Sequence, residues 1–237
     1  MNGSLLREFL VNALPRLGTL KRFAVAASHS IRPRDTYAQH GEDLRSKELL
    51  ADFDLSGGIY VDVGANHPTD ISNTYLFYRA GHRGITVEPF PELASLLKLF
   101  RPRDTVLAVA CGDVAGVAEL SVSKTPVLSS LHRAQAGRVW KSLIVPVLPL
   151  DRIILDLDVS WVFLLSVDVE GHAAAALRGA TATLERTLLV CVEASEGSEE
   201  ERAVTALLEQ ANFRIVERRG CNLFAMNEKL DRFRRKR

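Results

Sequence analysis

Two hydrophobic periods alternate along this chain: short solid apolar runs, and longer stretches with apolar residues at every third or fourth position. The solid runs predict strands over 60–63, 85–88, 105–110, 161–167 and 188–192, the last two apolar enough to be buried on both faces. Helical spacing predicts helices over 44–53, 73–80, 92–100, the Ala-rich stretch after Gly171, and from Ser198 onward, where Ala203, Ala206, Leu207 and Gln210 follow one face. Punctuation agrees with these limits. Gly81 closes one helix, Pro91 opens the next in the favoured first turn, and Ser198-Glu-Glu-Glu201 is a capping sequence. Residues 116–123 and 142–148 read as additional strands around a polar loop containing Ser129 and Ser130. Two closing strands, 213–216 and 222–226, are joined by a short link with Gly220, which predicts an antiparallel hairpin.

Strand and helix alternate from residue 37 to 228, which reads as one α/β domain with a mostly parallel sheet. Residues 1–36 read as an N-terminal helical extension divided by Pro15, and 229–237 as a basic tail. At 237 residues and 47% hydrophobic content the chain can bury one sizeable core. A net charge of +1 argues against nucleic acid as the main partner. Cys111, Cys191 and Cys221 are widely spaced and form no CxxC pair, so neither a disulfide framework nor a zinc site is expected, and a reducing cytoplasm fits. Arg or Lys interrupts every candidate membrane span, and residues 1–27 lack the continuous apolar block of a signal peptide. Residues 1–30 nevertheless carry four cations among apolar side chains, and 232–237 carry five more. These ends suit either a weak contact with the inner face of an anionic membrane, or packing on the body or on a second subunit of a homodimer.

The chemistry gathers at strand ends. Asp62 is followed by Gly64, Ala65 and Asn66, a strand stopping at a tight turn, and Glu88 ends the next strand 26 positions later. An acid at the tip of the second strand can accept both hydroxyls of a ribose, so an adenosine-containing ligand is expected. Asp62 alone has an equally ordinary reading as a capping acid. Gly112 and Asp113 end the third strand, where an adenine contact or a plain turn is expected. Asp168 and Glu170 stand at the end of a buried strand, two apart and therefore on one side, and Glu193 ends the following strand. Such a carboxylate rim can deprotonate a hydroxyl, hold a sugar, or ligate a divalent cation through oxygen. Its structural alternative is capping by Asp168 and backbone contact by Glu193. His67, just beyond the first turn, is a candidate substrate contact or base, with a surface residue as the alternative, and His172 reads as structural.

Gln39-His-Gly-Glu-Asp43, Tyr60-Val-Asp-Val-Gly-Ala-Asn66, Ser72-Asn-Thr74, Gly84-Ile-Thr-Val-Glu-Pro89 and Val167-Asp-Val-Glu-Gly171 occur in this order. Together they resemble the FkbM family of S-adenosylmethionine-dependent methyltransferases, over roughly residues 39–226. The resemblance implies a class I methyltransferase fold: a Rossmann-like, mostly parallel sheet with a C-terminal antiparallel hairpin and helices on both faces. It implies methyl transfer from S-adenosylmethionine to a hydroxyl of a sugar-containing or natural-product acceptor, a carbohydrate-type modification. In that frame Asp62 orients the first loop and the methionine ammonium. The backbone of Gly64 and Ala65 lies against the cofactor with Asn66, and Glu88 and Pro89 hold the ribose end. Gln39, Glu42 and Asp43 fold over the methionine end, while His67 and Asn73 face the acceptor. Three other classes stay open at this stage, a peripheral membrane module, a non-catalytic cofactor-binding or scaffold protein, and a nucleotide-dependent oxidoreductase. The last wants a glycine-richer first loop than Gly64-Ala-Asn66.

Overall fold

The computed structural model describes residues 20–32, 34–123 and 139–234. Residues 20–31 form a helix, α1, followed by α2 (Glu42–Leu49), β1 (Ile59–Val63), α3 (Tyr75–Arg79), β2 (Gly84–Val87) and α4 (Pro91–Phe100). Next come β3 (Thr105–Leu107), β4 (Ala110–Cys111), β5 (Gly116–Ser123), β6 (Val139–Leu148), α5 (Leu150–Asp156) and β7 (Val162–Val167). The chain continues through α6 (Ala173–Arg178), α7 (Thr181–Glu185), β8 (Thr187–Glu193) and α8 (Glu199–Gln210) to β9 (Phe213–Arg219), β10 (Asn222–Asn227) and α9 (Glu228–Arg234).

Seven strands share one sheet in the order β3-β2-β1-β7-β8-β10-β9. All pairs from β3 to β8 are parallel, and β10 is antiparallel to both β8 and β9, as the closing hairpin requires. The chain runs outward from β1 to β3 and then returns to lay β7 on the other side of β1. That reversal opens a crevice at the carboxyl ends of β1 and β7, the place where sheets of this kind receive ligands. Its two walls therefore start at Gly64 and at Asp168.

Alternation along the strands sorts side chains into two layers. Val61, Val63, Val87, Leu165, Val167 and Val190 join Leu177, Val204 and Leu208 of α6 and α8 on one face. Tyr60, Leu164, Leu189, Phe224 and Met226 meet Tyr75, Phe77 and Tyr78 of α3 on the other, with Leu230 of α9 against them. Each fully buried large apolar side chain contributes about 1.5–3 kcal/mol by leaving water.

Several boundaries differ from the sequence reading. The run expected as one strand over 105–110 divides: β3 stays in the main sheet, while β4 pairs with β6 in a separate three-stranded sheet ordered β4-β6-β5. An apolar run states that a segment is buried, not which sheet buries it. The helix expected over 44–53 begins at Glu42, after Gly41 at φ 79°, and ends at Leu49. The short helices α5, α7 and α9 have no clear periodicity of their own. Asp151 makes the start of α7 by accepting from the amides of Ala182 (3.0 Å) and Thr183 (2.7 Å). The capping sequence behaves as expected, since Ser198 Oγ accepts from the Glu201 amide at 3.0 Å.

Candidate functional site

Gly64 sits at φ 82°, and a Cβ there would lie 1.8 Å from the carbonyl oxygen of Asp168. Glycine is therefore required so that the ends of β1 and β7 can touch, beside the crevice they frame. The three amides that follow β1 all turn to β2. Gly64 and Ala65 donate to the Val87 carbonyl at 2.9 and 3.2 Å, and Asn66, at φ 52°, donates to Glu88 Oε2 at 2.8 Å. Glu88 Oε1 accepts from the Phe90 amide at 2.8 Å. Burial raises the Glu88 carboxyl to about 7, against the two amides that favour its ionised form.

The crevice holds about 690 Å³, its open mouth included. Val63, Gly64 and Asn66 line it from β1, and Val87, Glu88, Pro89 and Phe90 from β2. Leu93, Leu120 and the stretch Val109, Ala110 and Cys111 make an apolar side wall. Burial pushes the Cys111 thiol up to about 12, so it behaves as a small neutral wall residue. Asp168, Val169, Glu170 and His172 close the opposite side.

The acid rim assembles there. Ligand atoms of Asp168, Glu170 and Glu193 lie within 4.8 Å of one another, the one such group of three among the described residues. The Asp168 amide donates to the Val63 carbonyl at 2.9 Å, which fixes the rim to β1. Burial, then the neighbouring charge and hydrogen bond of Glu193, hold the Asp168 carboxyl well above the usual range. Burial and Glu193 raise Glu170 to about 7. Glu170 also occupies the left-handed region at φ 46°, followed by Gly171 at φ 80°. Backbone of that kind is strained for a residue with a side chain and persists where its surroundings hold it. Two acids in hydrogen-bond contact share a proton readily, and three carboxylates also make an oxygen donor set.

Other residues expected at the site are placed elsewhere. Asp62 points to the face opposite Val63, where its Oδ2 accepts from Thr74 Oγ1 at 2.5 Å and lies 4.0 Å from Arg101. Burial raises its carboxyl despite Arg101. Arg101, fully buried, also donates to Asp104 (2.7 Å) and to Thr74 (2.8 Å). Asp62 thus steadies the loop from beneath and does not line the crevice. Asp43 accepts from the amides of Tyr37 (2.7 Å) and Leu44 (2.8 Å) at the start of α2, and Gln39 is exposed outside the crevice. Glu42 accepts from Asn222 Nδ2 at 2.8 Å. His67 is buried, its Nδ1 accepting from the amides of Thr69 (3.3 Å) and Asp70 (3.0 Å) while Nε2–H donates to the Arg22 carbonyl at 3.0 Å. It joins α1 to the loop and leaves the crevice wall to others. Asn73 donates to Ser166 Oγ at 3.1 Å.

Gly112 and Asp113 are likewise displaced from the crevice. Gly112 packs under Val147 and Gly179, and Asp113 is exposed and paired with Arg178 at 3.5 Å. Val109–Cys111, immediately upstream, line the crevice in their place. Phe90, Leu93, Leu120 and His172 were not anticipated. Phe90 follows Glu88-Pro89 directly and had a readable signal, whereas Leu93 and Leu120 reach the site only through packing of α4 on the small sheet.

The family model of the methyltransferase FkbM domain matches residues 62–215. No curated protein matches this chain. Among solved structures, a TehB-like SAM-dependent methyltransferase from Corynebacterium glutamicum is similar at 10% identity and a TM-score of 0.45, over 90% of this chain and 100% of that one. The O-methyltransferase from Bacillus cereus in complex with SAH is similar at 10% identity and 0.45, over 88% and 90%. A SAM-dependent methyltransferase from Aquifex aeolicus follows at 15% identity and 0.40, over 81% and 94%.

Proposed function

The chain belongs to the FkbM family of S-adenosylmethionine-dependent methyltransferases, and from that premise we propose that it methylates a hydroxyl oxygen of a sugar-containing or natural-product acceptor. The residues at the crevice fit the cofactor's chemistry. Glu88 supplies a carboxylate for the ribose diol, and Phe90, Leu93 and Val109–Cys111 supply a flat apolar slot for a purine. The acids of the rim suit a ligand carrying an ammonium and a sulfonium. When bound, S-adenosylmethionine supplies a methyl carbon open to in-line displacement.

The observation that carries the reading is the cluster of Asp168, Glu170 and Glu193, whose carboxylate oxygens lie within 4.8 Å of one another, with Asp168 and Glu170 lining the crevice. Asp168, its carboxyl raised by burial and by the neighbouring Glu193, can accept the proton that an acceptor hydroxyl loses as its oxygen attacks. Glu170, raised to about 7, extends the same rim and can hold a neighbouring hydroxyl of a polyol. Holding the acceptor against the methyl carbon supplies much of the remaining rate. A proton shared within the trio lowers the negative charge that a cation would otherwise have to offset, which favours the acid–base version over a metal-assisted one. An oxidoreductase reading is disfavoured because the amides of Gly64, Ala65 and Asn66 are already bonded to β2, leaving none of the three for a diphosphate.

A panel of hydroxylated acceptors, sugars included, incubated with radiolabelled S-adenosylmethionine tests the proposal. Label is expected on oxygen. Asp168→Asn is expected to lower turnover by roughly a hundredfold or more with the melting temperature little changed. A chelator is expected to change nothing. Transfer to nitrogen or carbon, cofactor binding without turnover on any acceptor, or a chelator-sensitive reaction each replaces this reading with a different one.

A further inference from the structure

One face of α1 remains outside the account of methyl transfer. Towards the body, the helix buries Ala26, sets Arg22 at 3.6 Å from Glu92, accepts His67 at the Arg22 carbonyl, and brings His29 Nδ1 to 3.0 Å from the Thr69 carbonyl. Away from it, at helical spacing, Leu20 is 63% exposed, Phe23 45% and Ile31 79%, with Ala24 exposed between them. Phe23 meets the Phe100 ring edge-on at 5.2 Å, which extends this stripe towards Leu99, itself 60% exposed. Lys21, Arg32 and Lys98 stand exposed around these side chains. The sequence holds no acid between Glu8 and Asp35, and five cations in that interval.

We propose that this face of α1, with Leu99, lies on the surface of an anionic lipid bilayer. A helix with an apolar stripe, cations beside it and no acids has the composition of one lying in the plane of a membrane interface. Its polar side is already engaged by the loop after β1 and by α4, so only the apolar side is left to be covered. The flanking cations favour anionic headgroups as that cover. A second copy seated here would set Lys21 and Arg32 against like charges. No helix among the described residues is long and apolar enough to cross a membrane.

The test is sedimentation of the full chain with phosphatidylcholine vesicles, with and without phosphatidylserine, at low and high salt. Pelleting is expected to require phosphatidylserine and to fall at high salt, because cation contributions at an exposed surface are screened. The double variant Lys21→Glu/Arg32→Glu is expected to lower the partition coefficient by roughly tenfold or more, and Leu20→Ser/Ile31→Ser to lower it several-fold. All four side chains are exposed and away from the crevice, so folding and methyl transfer are expected to persist in both. Pelleting that is absent, indifferent to phosphatidylserine, or unchanged in both variants overturns the proposal. So does a dimer in light scattering that Leu20→Ser/Ile31→Ser converts to monomer, which assigns the face to a second copy.

Discussion

Glu88 is held ionisable and in place by two backbone amides, those of Asn66 and Phe90, at the mouth of an apolar slot. On the proposed reading this carboxylate accepts charge-assisted bonds from the two hydroxyls of a ribose. Glu88→Ala is expected to weaken S-adenosylmethionine binding by roughly 1.5–3 kcal/mol, about tenfold to a hundredfold or somewhat more in dissociation constant. Isothermal titration calorimetry on both proteins checks this, and equal affinities would remove Glu88 from the ribose site. Gly64 acts at the same scale through what it lacks, because any side chain would meet the Asp168 carbonyl and part the two walls of the crevice.

Between elements, Arg101 is a tie beneath the loop after β1. It leaves the end of α4, bonds Asp104 ahead of β3 and Thr74 at the start of α3, and faces Asp62 on β1. Its guanidinium also lies 5.4 and 5.5 Å from the centres of the Tyr60 and Tyr78 rings. A planar fork with several donors suits this junction, and lysine would not replace it. Arg101→Met is expected to cost about 3–5 kcal/mol of unfolding free energy, since it leaves Asp62 and Asp104 buried without their cation. Urea denaturation measures the loss. A change under about 1 kcal/mol would mean that the two carboxylates do not depend on this cation.

For the molecule as a whole, the raised carboxyls give stability a definite pH dependence. Glu88 and Glu170 bind protons up to about pH 7 when folded, and Asp168 is raised in the same direction. The unfolded chain releases those protons near the ordinary carboxylate range, about 4–4.5. The folded state therefore binds more protons between those limits. This contribution is complete below about pH 4 and is lost as pH rises through about 7. The melting temperature is expected to fall between pH 5 and pH 8, and Asp168→Asn/Glu170→Gln is expected to flatten that slope. A wild-type melting temperature that climbs over the same interval would show that these acids are ionised in the folded protein.

The order of strands and helices was legible because burial writes a local signal. Solid apolar runs mark β7 and β8, helical spacing marks α8, and Gly220 between two short strands marks the reversal into β10. That Glu88, Pro89, Asp168 and Glu170 line the crevice was legible because a strand end in this topology points into it whatever surrounds it. What a polar side chain bonds was another matter. Asp62, His67 and Gly112 sit at or beside strand ends in sequence and Asp43 at the start of α2, yet Thr74 and Arg101, Arg22, Val147 and Tyr37 determine their surroundings. Alternation already separates Asp62 from Val63, but only the packed α3 and α4 supply the partners that keep its carboxylate beneath the sheet. The division of 105–110 between two sheets, and the arrival of Leu93 and Leu120 at the crevice, likewise depend on α4 meeting β5 and β6. Local pattern determines which segments are buried and where strands end, because those follow from neighbours in sequence. The neighbours in space of a buried charge come from distant segments, and only the tertiary structure brings them together.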